Sequence, residues 1–392
     1  MLRTQVGIVG AGPAGLVLSQ LLAREGIESI VLEARDRAYV EGRVRAGVLE
    51  HGTADLLEAI GAGQRMRAQG LVHRGIELRF GGQSHRIDFA ELVGKSITVY
   101  GQQEVIKDLI AVRLQQGGAI HFDTEAYAVD GLDTARPVVR YRKADGSGGE
   151  LACDFVAGCD GFHGTCRNAV PPNQLAFFER TFPFSWFGIL AETPPASQEL
   201  IYTNHERGFA LISMRSPSVS RLYLQCAVDE DPGAWPDQRY WEELAARLAG
   251  YDAPEVKPGR VLARGVTGMR AFVVAPMRYE RLFLAGDAAH IVPPTGAKGM
   301  NLAVADVLVL SRALVAFYTS RRLDLLDAYS DTCLRRVWKA QRFSSWMTSM
   351  LHRFDAHTPF ERRLQLAELD YVTSSRAASQ ALAENYVGLP LD

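Results

Sequence analysis

The first 33 residues place a glycine-rich turn between an apolar strand and an apolar helix. The strand QVGIVG leads into GAGPAG (residues 10–15), and AGLVLSQLLAREG then carries apolar residues at helical spacing. A second strand, ESIVLE, ends at Glu33, which lies 18 residues after Gly15. This strand–helix–strand unit predicts a parallel sheet with helices on its faces.

Each glycine of the turn has a physical function in binding a dinucleotide. Gly10 permits the tight turn, Gly12 lets a pyrophosphate approach the backbone, and Gly15 lets the helix pack closely on the strand. The first helical turn, which includes Ala14, offers free N–H groups and a partial positive charge to phosphates. Glu33 can accept hydrogen bonds from ribose hydroxyls. The spacing therefore predicts a dinucleotide site, for FAD or for NAD.

Length and composition exclude several other classes of protein. The 392 residues allow two or three domains, and a net charge of −2 argues against a nucleic-acid partner. No apolar run approaches the roughly 20 residues of a membrane span, and the chain opens on a strand, so we expect a cytoplasmic protein without a membrane partner. The five cysteines and nine histidines show no metal-ligand spacing, which predicts no metal site.

The hydrophobic pattern changes twice along the chain. Residues 1–175 alternate strands and helices, with a sheet excursion near 70–100, and are interpreted as the nucleotide-binding domain. Residues 176–285 contain strand-like runs such as FPFSWFGILAE and predict an antiparallel sheet domain. Residues 286–392 open on a turn and are mostly helical. We therefore predict a mixed α/β (α+β) fold, with a Rossmann-like domain, an antiparallel-sheet domain and a helical C-terminal part. The aromatic-rich stretch 334–354 is interpreted as a helix packed on its own core or as a dimer contact.

Two short motifs narrow the choice of dinucleotide. Residues 158–161 read GCDG, and residues 286–290 read GDAAH. Together with the GAGPAG turn, in this order and at these separations, they resemble the three fingerprints of the class A flavoprotein aromatic hydroxylases. In that family the aspartate matching Asp287 binds the ribityl chain of FAD, and the segment matching Asp160 lies near both FAD and NAD(P)H. The resemblance therefore implies FAD.

The resemblance extends over essentially the whole chain. It is closest to the 4-hydroxybenzoate 3-monooxygenases within the family, in the segments GRVRAGVLEHG, GLVHRGIEL, TVYGQQEV, ELIYTNHERGFAL, GDAAHIVPPTGAKGMNLA and AENYVGLP. It implies an FAD-binding domain, a substrate-binding sheet domain, a helical C-terminal part and a homodimer. It also implies contacts to FAD from Arg45 at the pyrophosphate, from Gln102 at the ribityl chain, and from Gly299 and Asn301 beside the flavin ring.

The same resemblance implies a site for the carboxylate of an aromatic acid. Ser213, Arg215 and Tyr223 match the family residues that hold this group. An arginine on an otherwise apolar sheet face is costly unless it is paired, and a bound benzoate would supply a bidentate partner. The sequence leaves open an internal salt bridge to a protein carboxylate instead.

At the other end of the ring, the resemblance implies a path for the phenolic proton. Tyr202 and Tyr386 match two tyrosines that hydrogen-bond in series to the phenol, and His73 matches the histidine that passes the proton to solvent. Pro294 matches a residue whose backbone carbonyl lines the same pocket. A free phenol titrates near pH ~10, so hydrogen bonds that favour the more reactive phenolate have a physical reason.

The implied reaction converts 4-hydroxybenzoate into 3,4-dihydroxybenzoate. NAD(P)H would reduce FAD, and the reduced flavin would activate O₂ as a C4a-hydroperoxide. Alternatives are a related hydroxylase acting on 3,4-dihydroxybenzoate or 4-aminobenzoate, an NAD-dependent dehydrogenase, and a flavin-binding protein without catalysis. A dehydrogenase would leave the GDAAH segment unexplained.

The choice between NADPH and NADH stays open. NADPH-preferring relatives carry an arginine directly after the glutamate, whereas this chain has Ala34, and an acidic residue follows Arg35. Candidate coenzyme contacts are Arg35, Arg43, His163 and Arg270. Met214 and Leu222 stand where more polar residues are familiar, which bears on substrate scope.

Overall fold

The computed structural model describes residues 1–45, 47–251 and 256–391. Its strands, in chain order, are β1 (Leu2–Arg3), β2 (Val6–Val9), β3 (Ser29–Leu32), β4 (Val48–Leu49), β5 (Leu71–His73), β6 (Gly75–Phe80), β7 (Gln83–Asp88), β8 (Ile97–Val99), β9 (Ala119–His121), β10 (Thr124–Asp130), β11 (Val138–Lys143), β12 (Gly148–Ala152), β13 (Phe155–Gly158), β14 (Ala176–Glu192), β15 (Leu200–Thr203), β16 (Ala210–Ser216), β17 (Val219–Cys226), β18 (Arg260–Ala275), β19 (Arg278–Tyr279), β20 (Leu282–Leu284) and β21 (His290–Ile291). The helices are α1 (Pro13–Arg24), α2 (Arg37–Gly42), α3 (His51–Ala59), α4 (Gln64–Gln69), α5 (Phe89–Val93), α6 (Gln102–Gln115), α7 (Asp237–Leu248), α8 (Gly299–Ser320), α9 (Asp324–Asp327), α10 (Tyr329–Leu351), α11 (Pro359–Ser374) and α12 (Arg376–Val387).

A six-stranded sheet forms the nucleotide-binding end, in the order β19-β20-β13-β2-β3-β9. All its neighbours are parallel except β19 and β20. Each residue of β2 is buried, as expected for a parallel strand covered on both faces. Smaller sheets, β1-β12-β11-β10 and β4-β8-β5, flank this unit. The predicted Rossmann-like architecture is therefore present.

An eight-stranded sheet forms the second layer, in the order β21-β18-β14-β17-β16-β15-β6-β7. Its centre is antiparallel, and β15 pairs with β6 in parallel. Strands β6 and β7 come from the excursion predicted near 70–100, and β21 comes from the segment after residue 285. The chain rejoins the six-stranded sheet at Arg278, earlier than the predicted boundary at 285. The predicted mixed α/β fold class is confirmed, although one sheet draws on all three predicted parts.

Helix α8 is the central helix of the C-terminal part. It is long and apolar enough to cross a membrane by composition alone, but 61% of its most apolar window is buried within the protein. It packs against α1 on one side and α10 on another. This burial is typical of the core helix of a globular domain.

The aromatic stretch predicted at 334–354 falls mainly in α10. Its apolar side, including Val337, Phe343 and Met347, is buried in the core. Trp338 is 45% exposed and packs edge-on against the ring of Phe178. The helix therefore contributes to the core, and its role as a dimer contact stays a prediction.

A buried histidine joins the end of α10 to the eight-stranded sheet. The Trp186 indole donates a hydrogen bond to Nε2 of His352 (2.6 Å), and the His352 ring stacks on Phe184. Nδ1 of the same ring lies 2.9 Å from the Thr348 carbonyl oxygen, which fixes the proton on Nδ1. Burial lowers the pKa of His352 to about 3, so the ring is neutral near pH 7.

We expect His352 to make the fold sensitive to acid. The pKa of this side chain is about 3 in the folded chain, against about 6.5 when unfolded, so its contribution is complete above about pH 6.5 and is lost as the pH falls towards 3. Relative to pH 7, this loss amounts to about 2–3 kcal/mol at pH ~4.5. In denaturant unfolding, the free energy of unfolding of His352→Gln should differ less between pH 7 and pH ~4.5 than that of the unmodified protein. The matched control is His51→Gln, at a partly exposed position, and an unchanged acid dependence in His352→Gln would contradict the assignment.

Candidate cofactor and substrate site

Three glycines shape the turn after β2. Gly10 adopts a left-handed backbone angle (φ 103°), and a side chain there would overlap the carbonyl oxygen of Cys159. A side chain on Gly15 would overlap the carbonyl oxygen of Gly10, whereas the space around Gly12 is open. Helix and strand therefore touch at Gly15, while Gly12 leaves room for a ligand against the backbone.

The N-terminus of α1 faces this open space. Gly12 is its N-cap and makes no side-chain capping bond, Pro13 has no N–H, and Ala14 lies in the first turn. The Glu33 carboxylate accepts hydrogen bonds from the Ala11 N–H (2.7 Å) and the Arg35 N–H (2.9 Å). Glu33 thus holds the glycine turn from the end of β3. Its contact to a ribose stays a prediction, for which each oxygen keeps a lone pair.

The GDAAH turn brings further predicted residues to the same region. Asp287 is exposed in the 3₁₀ turn Gly286–Ala288. Burial and the neighbouring Arg43 charge lower the pKa of Arg45, and the carboxylate of Asp287 opposes them. The structure therefore places Arg45 and Asp287 within electrostatic reach of each other.

The DG segment lies beside this turn. Asp160 accepts a hydrogen bond from the Cys166 N–H (2.8 Å), and burial raises the pKa of its carboxyl group. Its other oxygen has no hydrogen-bond partner among the residues that the structure describes. Sequence reasoning missed Arg167, which donates to the carbonyl oxygens of Phe162 (2.6 Å) and Ala288 (2.8 Å) and so ties the two motifs together. No motif spacing singled out this arginine.

The N-terminus of α8 is anchored to the loop before α3. Asn301 accepts from the Glu50 N–H (2.9 Å) and donates to the carbonyl oxygens of Val48 (3.0 Å) and Ala297 (2.9 Å). Gly299 is the first residue of α8, and Gln102 is the first residue of α6. The Asn301 side chain therefore fixes the start of α8, which is predicted to face the flavin, to the backbone of Val48 and Glu50.

A buried ion pair that the sequence did not reveal supports this region. Lys298 lies 2.6 Å from Glu50 and also donates to the carbonyl oxygen of Tyr386 (3.1 Å). Burial lowers the pKa of Lys298, and the Glu50 carboxylate opposes this shift. The pair joins the loop before α3, the turn before α8 and the end of α12.

These features fit the expected FAD. The open position at Gly12 and the uncapped start of α1 suit a pyrophosphate, and Asp287 is free to meet hydroxyl groups. The buried oxygen of Asp160 that has no partner among the described residues is a further potential acceptor in the DG segment.

The structure brings the two predicted tyrosines together. The hydroxyl groups of Tyr202 and Tyr386 are hydrogen-bonded, and Tyr202 also lies 3.4 Å from the carbonyl oxygen of Thr295. Both rings are buried, and burial raises the pKa of both hydroxyl groups. Both are therefore protonated near pH 7 and can donate hydrogen bonds. Pro294 opens the adjoining turn, where its carbonyl oxygen accepts from the Ala297 N–H (2.9 Å).

His73 lies at the end of β5 and is fully buried. Neither ring nitrogen has a hydrogen-bond partner within the described ranges, so no direct bond joins His73 to Tyr386. Burial lowers the pKa of His73 to about 4, and the charge of Glu199 opposes the shift. The ring is therefore neutral near pH 7, as a proton acceptor must be. Its place in the proton path stays a prediction.

One face of the eight-stranded sheet carries both predicted substrate ends. Leu211 on β16 pairs with Tyr202 on β15 and with Tyr223 on β17, so these three side chains share a face. Ser213 follows Leu211 at the alternate position along β16, which puts it on that face as well. Arg215 lies at a register shift between Met214 and Ser216, and its side chain interacts with Tyr223 on that face.

Arg215 has no carboxylate partner of its own in the described part of the chain. Its Nη1 contacts the Ser213 hydroxyl (3.3 Å) and the Met214 carbonyl oxygen (3.1 Å), and its Nε is buried without an acceptor. Burial lowers the pKa of Arg215, with Tyr223 opposing the shift. The internal salt bridge considered from the sequence is not formed within residues 1–45, 47–251 and 256–391, and an anionic ligand would satisfy this group.

The four candidate coenzyme contacts fall into two groups. The guanidinium carbons of Arg35 and Arg43 lie 5.4 and 5.9 Å from the ring centre of Tyr39. Arg270 lies 3.8 Å from the ring centre of Phe162, on which the His163 ring also packs. The first group flanks α2, and the second borders the DG segment.

Comparisons with a protein family, a curated protein and solved structures all match this chain to FAD-binding proteins or aromatic hydroxylases. Residues 3–344 match the protein family described as "FAD binding domain". The chain is 47% identical over 392 residues to p-hydroxybenzoate hydroxylase of Acinetobacter baylyi, covering 100% of this chain and 96% of that protein. It superposes with a TM-score of 0.84 on p-nitrophenol 4-monooxygenase PnpA of Pseudomonas putida, at 20% identity and with 100% of both chains covered. A complex of aklavinone-11 hydroxylase with FAD and aklavinone gives 0.73 at 24% identity, over 90% of this chain and 70% of that one. The two solved structures bear on the fold alone.

The glycine turn yields a matched pair of variants. Since the space at Gly12 is open, Gly12→Ala should leave the stability of the apoprotein almost unchanged but weaken FAD binding about tenfold or more, because the new methyl group meets the ligand. Gly15→Ala forces a clash with the Gly10 backbone and should also cost about 2 kcal/mol or more of stability. Thermal unfolding of the apoprotein and fluorimetric FAD titration measure both effects. Normal FAD binding by folded Gly12→Ala would contradict the placement of the cofactor.

Proposed function

Because the chain belongs to the FAD-binding family of aromatic hydroxylases, we propose that it converts 4-hydroxybenzoate into 3,4-dihydroxybenzoate. The cofactor is FAD, and NAD(P)H and O₂ are the co-substrates, as predicted. Membership of this family leaves no place for the NAD-dependent dehydrogenase considered from the sequence.

The observation that carries the choice of substrate is the unsatisfied guanidinium of Arg215. Arg215 is partly buried and has no acidic partner among the described residues, so a bound carboxylate would supply the missing partner through bidentate hydrogen bonds. Ser213 and Tyr223 lie on the same sheet face and supply hydroxyl groups beside it. This arrangement favours an aromatic acid over an uncharged phenol.

The phenolic end of the substrate would meet the Tyr202–Tyr386 pair. A hydrogen bond donated by the Tyr202 hydroxyl group would stabilise a phenolate, and the Tyr386 hydroxyl behind it can take up or return a proton when the hydrogen bonds of the pair reverse direction. His73, neutral and unpartnered, would receive the proton further out. Bound FAD supplies the chemistry that transfers one oxygen atom from O₂ to the ring, while burial of both tyrosines keeps bulk water from the reacting atoms.

The residues near α2 are candidates for binding the nicotinamide coenzyme. Asp36 caps α2 by accepting from the Tyr39 N–H (2.6 Å), and Arg37 pairs with Glu41 (2.6 Å). These two side chains are therefore engaged with the protein, whereas Arg35 and Arg43 lie over the exposed ring of Tyr39. We propose that Arg35 and Arg43 contact the adenosine end of NADPH or NADH, and that His163 and Arg270 contact the remainder.

We also propose that the protein is a cytoplasmic homodimer. The exposed aromatic side chains of Phe177, Phe178 and Trp338 lie where α10 meets the eight-stranded sheet and support an interface there.

The direct test is NAD(P)H oxidation by the FAD-loaded protein, with product and hydrogen peroxide measured together. We expect 4-hydroxybenzoate to accelerate oxidation of at least one of the two coenzymes and to yield close to one 3,4-dihydroxybenzoate per coenzyme consumed. Acceleration that yields mainly peroxide would mean that the natural substrate is another aromatic acid, such as 3,4-dihydroxybenzoate or 4-aminobenzoate.

A variant at Arg215 separates carboxylate recognition from the rest of the reaction. Arg215→Gln should raise the KM for 4-hydroxybenzoate about tenfold to a hundredfold, since a charged hydrogen-bonded pair is lost, and leave FAD binding unchanged. An unaltered KM would contradict the assigned carboxylate site.

The hydroxyl pair can be tested by removing one hydroxyl group. Tyr202→Phe should retain FAD but lower the hydroxylation rate about tenfold or more and raise the share of peroxide, because the phenolate loses its donor. Tyr240→Phe is the matched control, since its buried hydroxyl contacts only a backbone carbonyl, that of Phe187. The assigned role is wrong if both variants keep the ratio of product to coenzyme of the unmodified enzyme.

A further inference from the structure

A buried carboxylate on α8 accepts two hydrogen bonds through one oxygen. Oδ2 of Asp306 lies 3.0 Å from the Gly286 N–H and 2.6 Å from Nε2 of His290. Both side chains are only 1% exposed. The sequence motifs gave no role to Asp306, and they included His290 only as the last residue of GDAAH.

These two bonds hold both ends of the same turn. Gly286 precedes Asp287, with a left-handed backbone angle (φ 63°), and His290 ends the motif. Between them, the Ala289 carbonyl oxygen accepts from the Val274 N–H (2.8 Å), which ties the turn to β18. Every part of the turn is thus fixed except the side chain of Asp287, which points to solvent.

The same carboxylate belongs to the helix whose first turn faces the cofactor region. Asp306 lies seven residues after Gly299, two helical turns further along α8. It therefore links the GDAAH turn to the anchored start of α8, where Asn301 holds the loop before α3.

The pKa of His290 is consistent with a charged pair between His290 and Asp306. Burial alone would lower the pKa of His290, but the Asp306 carboxylate outweighs it, with a smaller contribution from Asp287, and the pKa is raised. Cys159, directly after β13, and Tyr329 and Cys333 of α10 lie near Asp306. A buried ion pair of this kind contributes little net stability compared with an apolar pair, so its value lies in the geometry that it imposes.

We propose that Asp306 and His290 form a positioning pair. The pair fixes the position of Asp287 relative to the start of α8, so that Asp287 and this helix start can bind FAD together. The inference rests on the proposed function only for the identity of the cofactor. Its test needs neither an aromatic acid nor NAD(P)H, so a failure of the proposed substrate would leave it intact.

The test is fluorimetric titration of the apoprotein with FAD, accompanied by visible circular dichroism of the bound flavin. Asp306→Ala removes both bonds and should raise the Kd for FAD about 10–100-fold, the range for loss of a charged hydrogen bond. Asp306→Asn keeps an oxygen that can accept from Gly286 and should raise the Kd by clearly less. Equal losses in the two variants would overturn the role given to the shared oxygen.

Two further variants separate positioning from general stability. His290→Ala leaves the Gly286 bond intact and should give an intermediate Kd, which keeps the proposal testable if Asp306→Ala does not fold. Glu243→Gln weakens a partly buried ion pair with Arg247 (2.9 Å) on α7, in the sheet domain, and should leave the Kd unchanged. Unaltered FAD binding by folded Asp306→Asn and His290→Ala, or an equal loss in Glu243→Gln, would overturn the proposal.

Discussion

The close approach of three backbone segments around β2 is the constraint on which the rest of the structure depends. Gly15 lets α1 lie directly on the carbonyl oxygen of Gly10, and Gly10 in turn lies against the backbone of Cys159 at the end of β13. Because α1 is so close to the sheet, α8 can pack across it, and the GDAAH and DG motifs meet beside its N-terminus. The nucleotide site is thus a consequence of backbone contact at residues without side chains.

As a rule, a buried charge in this protein has an opposite charge beside it. Lys298 is paired with Glu50, His290 with Asp306 and Arg247 with Glu243, whereas the buried Arg113 donates to the Ser19 hydroxyl instead. Such pairs join segments that are far apart in sequence and fix their relative positions. Arg215 departs from the rule, and it does so on the sheet face that also carries Tyr202 and Tyr223. The unsatisfied charge therefore marks the face on which a ligand completes the structure.

Local sequence signals predicted those parts of the fold that depend on local chemistry. The roles of Gly10, Gly12 and Gly15 follow from backbone conformation alone, and the change from helical to strand periodicity located the second sheet. The pairing of Lys298 with Glu50, across 248 positions, has no local signal. The roles of Arg167 and Asp306 were missed for the same reason, since tertiary packing brings their partners close. Strand β19 escaped prediction because it is only two residues long.

The strand order of the eight-stranded sheet means that some strands are synthesised long before their partners. Ile76 of β6 pairs with Leu200 of β15, which leaves the ribosome 124 residues later, and β21 closes the opposite edge later still. Until β15 arrives, the hairpin of β6 and β7 has an uncovered edge with unpaired backbone groups. Polar residues along β7, among them Gln83, Ser84 and Arg86, keep the outer edge of this hairpin hydrophilic. One edge of the nascent hairpin is thus protected against aggregation by its own side chains, while the β6 edge stays open until β15 pairs with it.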